Sequence, residues 1–387
     1  MAAGAELDAP LTSRILENWT AECAHIRCEP ANSIESALDT QVPTVAAVSP
    51  IFKAARISDR SANEHWWIAS YSSLKTRGIQ NPGLPANADS SRTPDIARDD
   101  QVMEESAALT ENIAVSQPSF SRQNAGLHGF YRGPEPGTFL HGLLEWCAET
   151  GFANAATNAA QRRHEITAAC ELRGWQQEVD RLDDWLAGFV NTPFHFPALP
   201  QQAPVILNLC ELDSWQAELE FLFAAHELQT EDLDRICQYY LLPAQARPAL
   251  QSSQLNGMIK GFIDLVFLDK GRYYVADWKS NYLGATDADY TAAAIETEVL
   301  NKRYDVQYAI YLLALHRLLS SRLTNYDYDV HVGGAVYFFL RGWQSPTQGL
   351  LVDKPPRAFI DALNQLFLTG TLPAHLGTDT AKQVQHV

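Results

Sequence analysis

Positive charge is scarce in this chain: 29 lysines and arginines stand against 46 aspartates and glutamates, a formal net charge of −17. A free-standing nucleic-acid binder should show a basic stripe, so the deficit predicts weak polyanion affinity for the isolated chain. It leaves room for phosphate chemistry in which a metal bridges acidic side chains to a phosphate, or a partner subunit supplies the basic channel. The six cysteines (Cys23, Cys28, Cys147, Cys170, Cys210 and Cys237) are scattered, with no C-x-x-C. That spacing favours reduced thiols in a cytoplasmic protein over a disulfide frame, a zinc ribbon or an iron–sulfur cluster. No apolar run approaches the ~20 residues of a membrane span. The start, Met1-Ala2-Ala3-Gly4-Ala5-Glu6, lacks the basic and apolar regions of a signal peptide, so no membrane partner is expected. No G-x-x-x-x-G-K-S/T occurs, which excludes ATP hydrolysis by a P-loop. No internal repeat is visible.

What is present is a chain of 387 residues, long enough for one large or two ordinary domains, with 46% hydrophobic residues to build a core. Residues 1–65 mix short helical patterns, such as Leu11 to Cys23, with polar breaks. Residues 66–127 open on a strand pattern, Trp66-Trp67-Ile68-Ala69-Ser70-Tyr71, followed by a short serine-capped helix. From about Gly78 to Gly126 the composition turns to Asn, Ser, Asp, Pro and Gln, which reads as a long, mobile surface linker. Residues 128–376 form the principal domain and 377–387 a frayed tail. Helical spacing from Gly137 to Trp146, with Thr138 as its cap, puts His141 and Glu145 on one face. Further helices are expected over Ala155 to Arg173, Trp175 to Asn191 and Pro356 to Leu368, with an amphipathic one over Lys302 to Ser320. Ala217 to Phe223 reads as a strand or a helix, and Gly334 to Leu340 as a buried strand. This alternation predicts a layered α/β or α+β domain.

One segment fixes its own register. Gly257 to Phe267 alternates and is rich in β-branched and aromatic residues, then Asp269-Lys270-Gly271-Arg272 leads into Tyr273-Tyr274-Val275-Ala276-Asp277-Trp278-Lys279-Ser280. Lys-Gly between two strand patterns is a two-residue turn. Counting outward from it puts Asp264 opposite Asp277, with Cβ atoms roughly 5 Å apart. Lys279, two residues on, shares their face, while Tyr274 and Trp278 point to the other and read as core. Opposed like charges destabilise a strand pair. A solvated face with Lys279 as counter-charge could tolerate them, but Phe262, Val266 and Val275 make this face apolar. The two carboxylates therefore read as a metal site beside a charged catalytic group.

The stretch GMIKGFIDLVFLDKGRYYVADWKSNYLG, from Gly257 to Gly284, is followed by Arg303-Tyr304-Asp305-Val306-Gln307-Tyr308-Ala309-Ile310-Tyr311-Leu312. With GTFLHGLLE around His141 and ELEF around Glu218, it resembles the C-terminal nuclease domains of the RecB family, within the PD-(D/E)XK superfamily. The resemblance is dense over Trp66 to Ser73 and from Gly137 to the closing helix. It implies an α/β, restriction-endonuclease-like core: a mixed central sheet flanked by helices, with helical additions. It implies His141, Glu218, Asp264 and Asp277 as metal ligands, with Asp264, Asp277 and Lys279 catalytic. Glu220 shares the strand face of Glu218 and stays an alternative ligand. Gln307 and Tyr311 match a Q-x-x-x-Y element that closes the site, contacting DNA or supporting the site.

The same resemblance implies Mg²⁺ as cofactor, with Mn²⁺ able to substitute, and phosphodiester hydrolysis of DNA in repair and recombination, of exodeoxyribonuclease V type. DNA, RecC- and RecD-like subunits and RecA are the implied partners. RecB proteins also carry a helicase motor, whose ATP-binding motifs this chain lacks; residues 1–65 resemble at most the tail of that region. A second class of function stays open: a catalytically idle module that docks RecA or other repair subunits. The intact set of Asp264, Asp277 and Lys279 argues for retained chemistry.

Overall fold

The computed structural model describes residues 67–69, 126–197 and 204–377. All belong to the second of the two units into which the chain divides, Ala62–Val387. The expectations for residues 1–65, for the helix and linker that follow Ala69, and for the tail beyond 377 fall outside the described residues.

A six-stranded mixed sheet organises the domain. Its spine is β5 (Gln254–Asp269). Strand β4 (Ser214–Gln229) lies antiparallel along one side of it, from Ser214↔Leu268 to Gln229↔Gln254. The other side is shared: β1 (Trp67–Ala69) runs parallel to residues 257–259, and β6 (Arg272–Lys279) runs antiparallel to the far end. Beyond β6 come β7 (Val332–Phe339), parallel to it, and β8 (Leu350–Asp353), antiparallel to β7. A separate pair, β2 (Phe194–His195) with β3 (Ile206–Leu207), stands apart. The 217–223 segment, ambiguous in sequence, is strand because Ala217, Leu219 and Phe221 alternate with polar or exposed neighbours at period two. Between β5 and β6, Lys270 (φ 49°) and Gly271 (φ 78°) are both left-handed, a turn whose twist matches that of the strands it joins.

Each face of the sheet carries its own core. One contains Ile263, Val266, Val275, Tyr337 and Phe339 of the sheet, packed on α5 (Thr230–Tyr240), α6 (Ala292–Asn301), α7 (Tyr304–Arg322) and α9 (Arg357–Thr369). The other contains Leu265, Phe267, Tyr274, Ala276 and Trp278, packed on α1 (Pro134–Thr150), α2 (Phe152–Thr157), α3 (Ala159–Glu171) and α4 (Val179–Val190). Short helices α8 (Tyr328–His331) and α10 (Ala374–Gly377) complete the order.

Three helical expectations change. Helix α1 starts at Pro134, whose fixed φ and missing N–H suit a first helical position. Thr138 is therefore inside the helix, bonding the Pro134 carbonyl at 3.1 Å rather than capping. The 155–173 pattern breaks at Asn158, whose side chain accepts from the Gln161 N–H and starts α3. Helix α7 is not amphipathic: every residue from Tyr304 to Leu315 is buried, because sheet and helices surround it.

Gly333 shows how closely β6 and β7 meet. A Cβ there would overlap the Tyr274 ring, which is itself stacked on Phe267 with centroids 4.9 Å apart. Gly333→Ala is expected to lower unfolding stability by about 1–3 kcal/mol, read as a reduced urea midpoint at unchanged m-value. A wild-type midpoint would show that the ring moves aside freely.

Candidate active site

Asp264 is the residue at which β5 stops behaving as a regular strand. The pairing with β4 passes from Ala217↔Leu265 to Leu219↔Ile263, and the pairing with β6 ends at Leu265↔Ala276. Asp264 is thus missing from both ladders. Counting outward from the turn puts it directly across from Asp277; regular pairing ends one rung short, at Leu265↔Ala276. The Asp264 carboxylate accepts the Trp278 N–H at 2.8 Å, replacing a backbone partner. Glu218, beside the break, has φ 48°, a conformation costing a non-glycine residue of order 1–3 kcal/mol and concentrated at functional sites. The irregular pair of Glu218 and Asp264 keeps the register with β4 on either side, yet Ile263 and Val266 share one core although strict alternation would separate them.

The break draws side chains from several elements together. His141, from α1, puts Nδ1 3.3 Å from Asp264 Oδ2. Lys279, at the end of β6, puts Nζ 2.9 Å from Asp277 Oδ2, and both side chains are less than a tenth exposed. The ammonium lies 3.9 Å from the Tyr304 ring centroid and 5.4 Å from that of Tyr337, cation–π contacts that offset part of its desolvation.

Electrostatics mark the same cluster. Burial, then the charges of Asp277 and Glu218, push the Asp264 carboxyl well above its ordinary range. Burial raises Asp277 too, against the pull of Lys279 and the Tyr311 hydroxyl. His141 is driven down to about 3 by burial and by Lys279, so its imidazole is neutral and can ligate a cation. Like charges forced together out of water stay ionised only with a compensating cation. Among the described residues, no three His, Cys, Asp or Glu side chains are already gathered as a cation cage. The donors nonetheless fit a hard divalent ion: carboxylate oxygens of Glu218, Asp264 and Asp277, and one imidazole nitrogen. Glu220 is drawn elsewhere, to Lys260 at 2.9 Å on the exposed face. Glu218 is the glutamate whose charge reaches Asp264.

Gln307 and Tyr311 are both buried on α7 and support the cluster from beneath. Tyr337 donates to Gln307 Oε1 at 2.8 Å, Gln307 Nε2 donates to the Tyr311 hydroxyl at 3.0 Å, and that hydroxyl acts on Asp277. Tyr337, the polar-tipped residue of a wholly buried strand, went unnoticed in the sequence; its signal was a hydroxyl in a run of apolar side chains. Asn281, also missed, donates to Glu298 at 2.8 Å and to the Tyr304 hydroxyl at 3.2 Å, steadying the segment after Lys279. Arg341 is the third omission. Its guanidinium, 2% exposed, holds the carbonyls of Ser280 (2.9 Å), Leu127 (2.7 Å), Phe130 (3.2 Å) and Tyr131 (2.5 Å).

A mixed sheet that brings an aspartate of one central strand to an aspartate and a lysine of the next defines a class, and this chain belongs to it: residues 122–372 match the PD-(D/E)XK nuclease superfamily. Its relatives narrow the class to the RecB type. It is 32% identical over 338 residues to the RecBCD enzyme subunit RecB of Escherichia coli K12, covering 86% of this chain and 26% of that protein. Identity to the RecB of Haemophilus influenzae is 33% over 261 residues (66% of this chain, 20% of that one). For the RecB of Mycolicibacterium smegmatis it is 26% over 373 residues (86% and 32%). The chain therefore spans between a fifth and a third of these relatives' length. Among the described residues, no helix is long and apolar enough to cross a membrane.

Proposed function

We propose that the chain is a divalent-metal-dependent deoxyribonuclease of RecB type, acting in DNA repair and recombination. The observation that carries this reading is the buried convergence of Asp264 and Asp277 with Lys279 at the break in β5. Glu218, Asp264, Asp277 and His141 would hold Mg²⁺, with Mn²⁺ able to replace it. A cation bound there supplies charge neutralisation at the scissile phosphate and acidifies water. Asp277 fixes the Lys279 ammonium, which orients the attacking water and stabilises negative charge developing on the phosphorus oxygens. Tyr311 and Gln307 hold Asp277 in place, and neutral His141 presents a lone pair instead of a competing positive charge. These 387 residues contain no P-loop motif, so the proposed activity is hydrolysis of the DNA backbone alone. DNA is the proposed substrate, and RecC- and RecD-like subunits and RecA the proposed partners.

Wild-type protein is expected to digest end-labelled linear DNA in Mg²⁺ and to stop on chelation, with closed circles as the comparison for dependence on an end. Asp277→Ala is expected to lose cleavage and to weaken Mn²⁺ binding by about tenfold or more in calorimetry. An unchanged isotherm would remove Asp277 from the ligand set. Protein that cuts neither substrate but captures RecA would be a docking module instead.

A further inference from the structure

Beside the acidic cluster stands a cation the proposed chemistry has not used. The Arg132 guanidinium lies over the Tyr282 ring, its carbon 3.2 Å from the centroid. Arg132 is exposed and Tyr282 half-buried. No carboxylate pairs with Arg132 among the described residues. The acidic groups nearby in sequence to Tyr282 are engaged: Asp287 with His128 at 3.2 Å, Asp289 with the Thr286 N–H and hydroxyl at 2.9 Å. Lys260, at the other end of β5, is spent on Glu220.

The stack is held in place by the fold. Arg341 grips the carbonyls of Tyr131 and Ser280 with one buried guanidinium, which ties together the backbone one residue before Arg132 and two residues before Tyr282. Tyr282 is three residues from Lys279, which keeps their backbones within about 10 Å. A guanidinium lying on an aromatic ring keeps its N–H groups directed edgewise, in the fork that matches a phosphate. In a chain of net charge −17, a fork that no carboxylate occupies among the described residues is open to an anionic ligand.

We infer that Arg132, shelved on Tyr282, is a nucleic-acid phosphate contact within about three nucleotides of the scissile bond. The inference rests on the nuclease reading for its substrate and names the side chain that holds the strand there. Arg132 binds the phosphate; Tyr282 positions Arg132.

The test is binding of a fluorescein-labelled single-stranded oligodeoxynucleotide to the full chain, by anisotropy across a salt series with Ca²⁺ replacing Mg²⁺. Arg132→Ala is expected to bind about tenfold more weakly, with the log–log salt slope flatter by about one. Arg132→Lys should restore the slope and only part of the affinity; Tyr282→Leu should keep the slope and lose affinity. In Mg²⁺, Arg132→Ala should raise KM and leave kcat near wild type. Wild-type affinity and slope in Arg132→Ala overturn the contact. Wild-type protein that binds with the expected slope but never cuts overturns the nuclease reading and leaves the contact standing. Protein that neither binds nor cuts removes both.

Discussion

Lys279→Ala is expected to abolish Mg²⁺-dependent cleavage of linear DNA while the protein stays folded and still takes up Mn²⁺. The loss should be on the order of 10³-fold, the scale of removing one preorganised charge from the centre where negative charge develops. Folding should survive because the buried partner can respond: Asp277, already raised by burial, takes up a proton when its ammonium is removed. Cation binding should be as tight as wild type or tighter, since a positive charge leaves a cluster of carboxylates. Loss of cleavage with Mn²⁺ binding retained identifies a group that acts on the reaction. Loss of both, in a protein with altered far-UV circular dichroism, would mean that Lys279 is structural. Retained cleavage would end its catalytic assignment.

Asp305→Ala is expected to be the most damaging single change to stability outside the active cluster. Asp305 is fully buried and meets Arg303 Nε at 3.0 Å and Arg247 at 2.7 Å; Arg303 also reaches Asp234 at 2.6 Å and the Pro248 carbonyl at 2.7 Å. Arg303 adopts φ 58°, a conformation kept because these bonds fix it. Removing Asp305 leaves the buried Arg247 guanidinium without its carboxylate and Arg303 with Asp234 alone, a cost of about 3–5 kcal/mol. In a domain of this size that lowers Tm by on the order of 10 °C. The double variant Arg303→Ala/Asp305→Ala should cost clearly less than the two single changes added. Strict additivity, or a wild-type Tm for Asp305→Ala, would show that the residues act independently. The network pins the 241–250 loop to the start of α7, so the damage should extend to the helix bearing Gln307 and Tyr311.

The sequence was most legible where local chemistry leaves little freedom. The Lys270-Gly271 turn set the β5–β6 register, and Tyr274 and Trp278 fell on the core face that period two assigns them. It was least legible where distant segments decide. Nothing local says that Asp264 leaves both ladders, because the distortion involves Glu218 on another strand and the Trp278 amide on a third. Nor could periodicity show that α7 is buried all round, since that depends on what covers its second face. Asp305 and Arg303 stood in the quoted motif as ordinary charges. Their partners, Asp234 and Arg247, lie more than fifty residues upstream, and only folding brings them together. Arg341 likewise reaches carbonyls some two hundred residues away, and carbonyl acceptors leave no trace in side-chain composition.

The pairing of residues 67–69 with 257–259 has a consequence for where this domain can be cut. The superfamily match begins at 122, which invites a fragment starting there. Such a fragment would discard the strand that covers residues 257–259 of β5 on that side. A row of amide and carbonyl groups would then lie bare, ready to zip onto another molecule. Self-association of that fragment, and its relief when the piece around Trp67 is restored, would measure how much of the nuclease is folded by residues its own family signature leaves out.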